Sequence, residues 1–255
     1  MMSGMTAPFV PLTPAASLEY LEQAVASFDQ FLADGDLQAP VPSCPGWTLL
    51  DLTHHLGGVH RWATAAVVEK RSMDDDELTF PDEFGARAWF LDGATTLVRT
   101  LRATPPETEC WAFGPKPRLA AFWFRRQPLE TAVHAWDAAG SQGAPGHRFT
   151  AELALDGIDE VRHMFYPRQL RLRRIPPVAH SLAVAPDEVT TRWLFPAGDP
   201  AAPGADEQVP EAVVGGSAED LYLLLWGRLT VDDPRFTVTG DAAAARTVLT
   251  AGITP

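Results

Sequence analysis

Cysteine is almost missing from this 255-residue chain, with Cys44 and Cys110 the only two. Two distant thiols can build neither a disulfide framework nor a cysteine-ligated zinc site, so stability has to come from a packed core. Basic charge is also short: 20 Lys and Arg stand against 33 Asp and Glu, a formal charge of −13. Neutralising phosphates or anionic headgroups takes a basic surface, so neither nucleic acid nor membrane is an expected partner. No run approaches the apolar length of a membrane span. Met1 to Pro14 has neither a basic start nor a continuous apolar stretch, and no secretory leader is expected there. No segment repeats another. The composition, 46% hydrophobic and 21% charged, is that of an ordinary globular protein. A soluble, reduced, cytoplasmic protein of one large or two modest domains is the expectation.

The first half carries helical periodicity. Leu18, Leu21, Val25, Phe28 and Leu32 recur every three or four residues, and Gly35 offers a stop. Pro40, Pro42 and Pro45 then impose an extended loop. Thr48 can cap a second helix, with Asp51 answering it three residues on and Trp47 and Leu52 at the staple positions. Leu52, Leu56, Val59, Ala63 and Ala66 carry that helix to about Lys70. A third helix is predicted over 84–101 and a fourth over 119–139, the latter kinked or restarted at Pro128. Four helices so connected predict a bundle. The pattern then changes: a helix over 151–165 precedes strand-like runs at 170–175, 179–184 and 189–195. A loop rich in Pro, Gly and acid follows over 196–210, then a helix from Ser217 through Arg228, a strand at 236–238 and a last helix at 241–251. The expected class is α+β, with residues 1–148 an all-helical domain and 149–255 a smaller α+β domain.

Seven histidines invite sorting by helix face. On the helix after Thr48, His55 stands on the shoulder of the apolar stripe between Leu52 and Val59, beside Trp62. His54 falls with Asp51, Gly58 and Arg61 on the polar side, and His60 lies about 140° round from His55. Taken alone, an inward histidine is most simply a hydrogen-bonded core residue. Glu130 and His134 change this, because residues four apart on a helix stack on one face, here flanked by Leu129, Val133 and Trp136. A surface Glu–His pair is the plain alternative. A buried carboxylate facing imidazoles either shares protons or holds a cation. His55, Glu130 and His134 form a two-histidine, one-carboxylate set suited to zinc, or another divalent ion, with one position open. Asp137 is placed either to orient His134 or as an exposed helix acid. Cys44 reads as a small buried residue. The run Arg168, Arg171, Arg173, Arg174 is either a solvated edge strand or an anion-binding patch.

The stretch Val41-Pro42-Ser43-Cys44-Pro45-Gly46-Trp47-Thr48, continuing Asp51-Leu52-Thr53-His54-His55-Leu56-Gly57-Gly58-Val59-His60-Arg61-Trp62, resembles the mycothiol-dependent maleylpyruvate isomerase family. So does Glu130-Thr131-Ala132-Val133-His134-Ala135-Trp136-Asp137, within the wider group of DinB-like metal-binding bundles. Looser likeness runs through Leu155-Asp156-Gly157-Ile158-Asp159-Glu160 and from Gly216-Ser217-Ala218-Glu219-Asp220 to Trp226-Gly227-Arg228. The resemblance implies a metal-binding four-helix domain followed by a small α+β domain. It also implies ligation by a second-helix histidine and by a Glu-x-x-x-His run, which here are His55, Glu130 and His134. A family arginine important for activity matches Arg228.

Implied too are mycothiol as thiol cofactor or co-substrate, an actinobacterial source, and an isomerase or S-transferase working through a metal-bound thiolate. Such an enzyme meets a small electrophile, unsaturated and carboxylate-bearing, as a monomer or homodimer. Arg228 is then expected to meet the substrate carboxylate, or a developing enolate, across a cleft between the domains; a solvated arginine at a helix C-terminus is the alternative. Two other classes stay open: a metal-binding or sensing protein without turnover, and a hydrolase with zinc-activated water.

Overall fold

In the computed structural model residues 7–255 are described; the first six, part of the segment read for a leader, lie outside the described residues. The described chain divides into two compact units, Leu12–Arg148 and Phe149–Pro255, the latter joined by the N-terminal segment up to Pro11. No helix among the described residues is long and apolar enough to cross a membrane.

In the first unit the caps set where each helix begins. Thr13 accepts from the Ala16 N–H and starts α1 (Pro14–Asp34), with Pro14 in its first turn. Thr48 and Asp51 form the reciprocal capping box of α2 (Leu49–Val68), as their spacing predicts. Asp82 accepts from the Gly85 N–H and starts α3 (Glu83–Ala103). The fourth helix, α4 (Ala121–Ser141), runs through Pro128 without a restart. Burial on both sides of that proline outweighs the lost backbone bond.

Each of α1 and α2 packs on both α3 and α4, so α2 and α4 lie side by side. The apolar core is split in two along the bundle. Leu21, Ala63, Leu97 and Trp123 belong to one cluster; Phe28, Leu52, Leu56, Phe90 and Ala135 belong to the other. Between them, along α2 and α4, come His60, Arg126, Gln127, Thr131 and His134, all buried. This polar layer holds the site described below.

The second unit opens with α5 (Ala151–Glu160), which continues through a π turn at Val161–Phe165 into α6 (Tyr166–Arg171). A four-stranded sheet follows in the order β2, β1, β3, β4. In it β1 (Leu182–Pro186) runs antiparallel to β2 (Trp193–Phe195) and parallel to β3 (Ala212–Gly216), and β3 runs antiparallel to β4 (Thr237–Gly240). The two central strands are in contact with α7 (Ala218–Leu225) and α8 (Ala242–Leu249), and α5 packs on α7. The class is therefore α+β. Residues 7–11 belong to this unit, not to the helical one: the Phe9 ring meets Trp193 edge-on at 5.3 Å and its N–H donates to Thr191 Oγ1.

Three expectations are corrected here. The strand expected at 170–175 is absent, because Tyr166 is fully buried and donates to the Pro196 carbonyl, which keeps the chain helical to Arg171. Arg168 and Arg171 thus lie on α6, and Arg173 has a left-handed φ of 55° in the turn beyond it, so the basic run is no edge strand. Strand β3 was not anticipated. Its Ala-Val-Val-Gly-Gly sequence ends in two glycines, yet a Cβ on Gly215 would come within 2.8 Å of Thr237 Oγ1, so the close pairing with β4 favours glycine. Finally, α7 ends at Leu225, short of Arg228. Gly227 turns left-handed (φ 69°) and the Arg228 N–H reaches back to the Leu223 carbonyl, a Schellman-type stop.

Because the Thr48–Asp51 box fixes the start of the helix carrying His55, Thr48→Ala should lower unfolding free energy by about 1 kcal/mol. Urea denaturation with an unchanged m-value checks this; no loss would show that packing alone sets the start of α2.

Candidate metal centre

His55 lies two turns into α2. Its phase follows from the cap: Leu52 and Leu56 are fully buried, and His55 between them reaches the edge of the core with 36% of its side chain exposed. Glu130 and His134 are one turn apart on α4 and point at the same spot. Glu130 Oε1 is 3.2 Å from His55 Nε2 and 3.3 Å from His134 Nε2. The two imidazoles stand edge to face, with centroids 5.0 Å apart at 83°. Trp47, just before the α2 cap, packs against His55 at 5.0 Å.

These three residues offer donor atoms that all lie within 4.8 Å of one another. Donors at zinc-ligand distances of about 2.0–2.2 Å around a tetrahedral ion stand about 3.3–3.6 Å apart. The two Glu130 separations lie close to that edge and the two imidazole nitrogens lie within 4.8 Å of each other, an arrangement compatible with a small divalent ion.

Behind the donors is a layer of support. His134 Nδ1 lies 2.9 Å from Asp137 Oδ2, which fixes the ring and turns Nε2 toward Glu130. Asp137 is fully buried and accepts from Ser43 Oγ at 2.6 Å, with Cys44 Sγ 3.7 Å from its other oxygen. The half-buried Cys44 thus lies beside the support of the site, and Cys44, His134 and Asp137 form a second donor cluster that shares His134. On the other side Arg126, also on α4 and only 3% exposed, donates to Glu130 Oε2.

The charges follow from these contacts. Burial pushes the Glu130 carboxyl up, but Arg126 and the two imidazoles hold it well below the usual carboxylate range. Burial also disfavours charge on His134, yet its hydrogen bonds to Asp137 and Glu130 prevail and raise it to about 9. These contacts favour the protonated form of His134, and a metal ion at its Nε2 would compete with that proton.

The other histidines fall elsewhere. His60 is fully buried within the same polar layer, with Nε2 3.0 Å from Thr131 Oγ1, and burial drives it down to about 3, so it stays neutral. His54 was placed on a polar side, but its face packs instead: Nε2 is 3.0 Å from the Pro81 carbonyl, and its ring meets Phe80 and Trp89. His147, His163 and His180 pair with Ser27, Asp159 and Glu211, the last two within the second unit. Arg228 is half-buried in the second unit and donates to the Trp226 carbonyl at 2.8 Å.

Sequence reasoning missed two contributors. Arg126 was legible in principle, since it precedes Glu130 by four residues on the same helix. Ser43 lies in an irregular loop, and nothing in its spacing marked it. A cavity of about 500 Å³ also opens beside His54 and His55, lined by Val59, Trp62, Met73, Leu78 and Phe80.

Two family profiles match the chain: the mycothiol maleylpyruvate isomerase N-terminal domain over residues 18–139, and the C-terminal domain of the same family over residues 152–247. The chain belongs to the mycothiol maleylpyruvate isomerase family. Two solved structures are similar to it. One is the crystal structure of the mycothiol-dependent maleylpyruvate isomerase, 14% identical, covering 91% of this chain and 95% of that chain with a TM-score of 0.65. The other, a histidine-to-alanine variant under the same name, is also 14% identical, covering 91% of this chain and 95% of its own with a TM-score of 0.64. At that identity the likeness is one of fold. No curated protein sequence matches the chain. In this member of the mycothiol maleylpyruvate isomerase family, the N-terminal profile spans the helical unit that holds His55, Glu130 and His134.

If this cluster is the metal site, the purified protein should carry about one divalent ion per chain, most readily zinc. Elemental analysis of His55→Ala and His134→Ala should show strong loss, with His54→Ala unchanged. Equal loss in His54→Ala would place the site on the wrong face of α2.

Proposed function

We propose that this protein is a metal-dependent, mycothiol-using enzyme that isomerises, or transfers the thiol to, a small unsaturated substrate bearing a carboxylate. The observation that carries the reading is the three-donor cluster of His55, Glu130 and His134, with its supporting Asp137 and Arg126, in a member of this family. A zinc or similar divalent ion held there would stabilise thiolate over thiol at neutral pH.

The chain's own residues prepare that chemistry. His55 and His134 present Nε2, and Asp137 takes the Nδ1 side of His134, so the imidazole is held with one nitrogen free to ligate. Among the charges described, Asp137 and Arg126 offset one another. A divalent ion with Glu130 leaves one net positive charge, which a thiolate cancels. The cavity beside His55, lined mainly by apolar side chains such as Val59, Trp62, Leu78 and Phe80, suits the carbon skeleton of a small substrate.

A thiolate held at His55, Glu130 and His134 through such an ion would supply reversible addition to an activated double bond, being regenerated in isomerisation and retained in the product of thiol transfer.

Among the described residues lining the cavity there is no Arg or Lys, so a substrate carboxylate calls for a cation from another part of the chain. We assign that role to Arg228, on its match to the family arginine. Activity should require both metal and mycothiol when the loaded protein is assayed with a panel of cis-unsaturated dicarboxylates. Thiol recovered in full marks an isomerase and thiol consumed marks a transferase; turnover without any thiol would overturn the mycothiol reading.

Arg228→Ala should keep the metal and lower turnover by roughly 10²–10³-fold, with Arg228→Lys recovering part. Full activity in Arg228→Ala would remove the arginine from the mechanism.

A further inference from the structure

The two oxygens of Glu130 have different neighbours. Oε1 faces both imidazoles at 3.2 and 3.3 Å, and Oε2 accepts from Arg126, one turn earlier on α4. Arg126 is only 3% exposed, so this is a buried, charge-assisted contact between groups on one rigid helix. A buried cation is a poor choice if the aim is to attract a divalent ion, since like charges at short range in a low dielectric repel. Its benefit must lie elsewhere.

We propose that Arg126 is a positioning residue of the metal centre, holding Glu130 Oε2 so that Glu130 ligates through Oε1 alone and a coordination position stays open for the thiol. A carboxylate with both oxygens free can chelate an ion and fill the position that a catalytic site keeps for its reactant. With Oε2 held by the guanidinium, the ligand set remains two nitrogens and one oxygen. The Arg126 charge also adds to the field that favours an anionic sulfur over a neutral ligand. The proposal rests on the metal-and-thiol reading above, and it makes a prediction of unusual sign: losing Arg126 should not weaken metal binding.

Cobalt(II) in place of zinc makes the test visible, using mercaptoethanol as the thiol. In Arg126→Met, Co²⁺ affinity by chelator competition should equal or exceed that of the unaltered protein. The visible absorption of the bound ion should fall severalfold as Glu130 adds its second oxygen. Affinity for mercaptoethanol, read from the sulfur-to-cobalt charge-transfer band, should drop by about 10–100-fold, the usual scale for a partner behind a ligand. Arg126→Lys keeps the charge without the planar fork and should fall between; it serves alone if the Met variant does not fold. A purely structural arginine would give weaker Co²⁺ binding and a lower Tm, with the spectrum of the bound ion and the thiol affinity unchanged, and that result overturns the proposal. An unaltered protein that binds no Co²⁺ at these residues overturns the metal reading with it, whereas normal Co²⁺ binding and an unchanged Arg126→Met spectrum overturn the Arg126 role alone.

Discussion

A carboxylate in the interior of a helix bundle has to be surrounded by cations or donors, and Glu130 is that constraint in this protein. Leaving such a charge unpaired would cost several kcal/mol, a large share of a domain's net stability. The surroundings answer it from two directions: Arg126 and His134 from its own helix, and His55 from the neighbouring one. His134 in turn needs Asp137, and Asp137 draws in Ser43 from the loop before α2. One buried charge thereby ties together α4, α2 and a proline-rich connection that has no regular structure of its own.

The split apolar core follows from the same demand. Large side chains such as Phe28, Phe90 and Trp123 pack at either side, while the middle of α2 and α4 is given to polar groups. Such a layer adds little to stability compared with leucine packing. It does fix register, because sliding α4 by one turn against α2 would leave Glu130 without His55 and His60 without Thr131. Stability and specificity are thus divided between the apolar ends and the polar middle.

Arg126 shows how a buried ion pair can be misjudged by counting. As a salt bridge it is a short i, i+4 contact on one helix. Its place matters more than its number: it takes Oε2 of Glu130 and leaves Oε1 facing both imidazoles. The cavity next to His55 adds the complementary element, an apolar wall against which few charges compete.

The sequence determined what depends on local chemistry. The Thr48–Asp51 cap, the stripe through Leu52 and Leu56, and the four-residue spacing of Glu130 and His134 each follow from helix geometry within a few residues, so the helices and the pairing of donors on one face were readable. The restart offered at Pro128 does not occur, because burial on both sides outweighs a local propensity, and the strand expected near Arg173 gave way to the anchoring of Tyr166. Strand β3 depends on partners far away in the chain, and its glycines signal loop until β4 is beside it. For the same reason only the tertiary structure could decide that α2 lies against α4 and so brings His55 to Glu130, that Ser43 reaches Asp137, and that Arg126 takes one oxygen and leaves the other. Spacing along a helix says which side chains share a face, but which face meets which is settled only when the whole bundle packs.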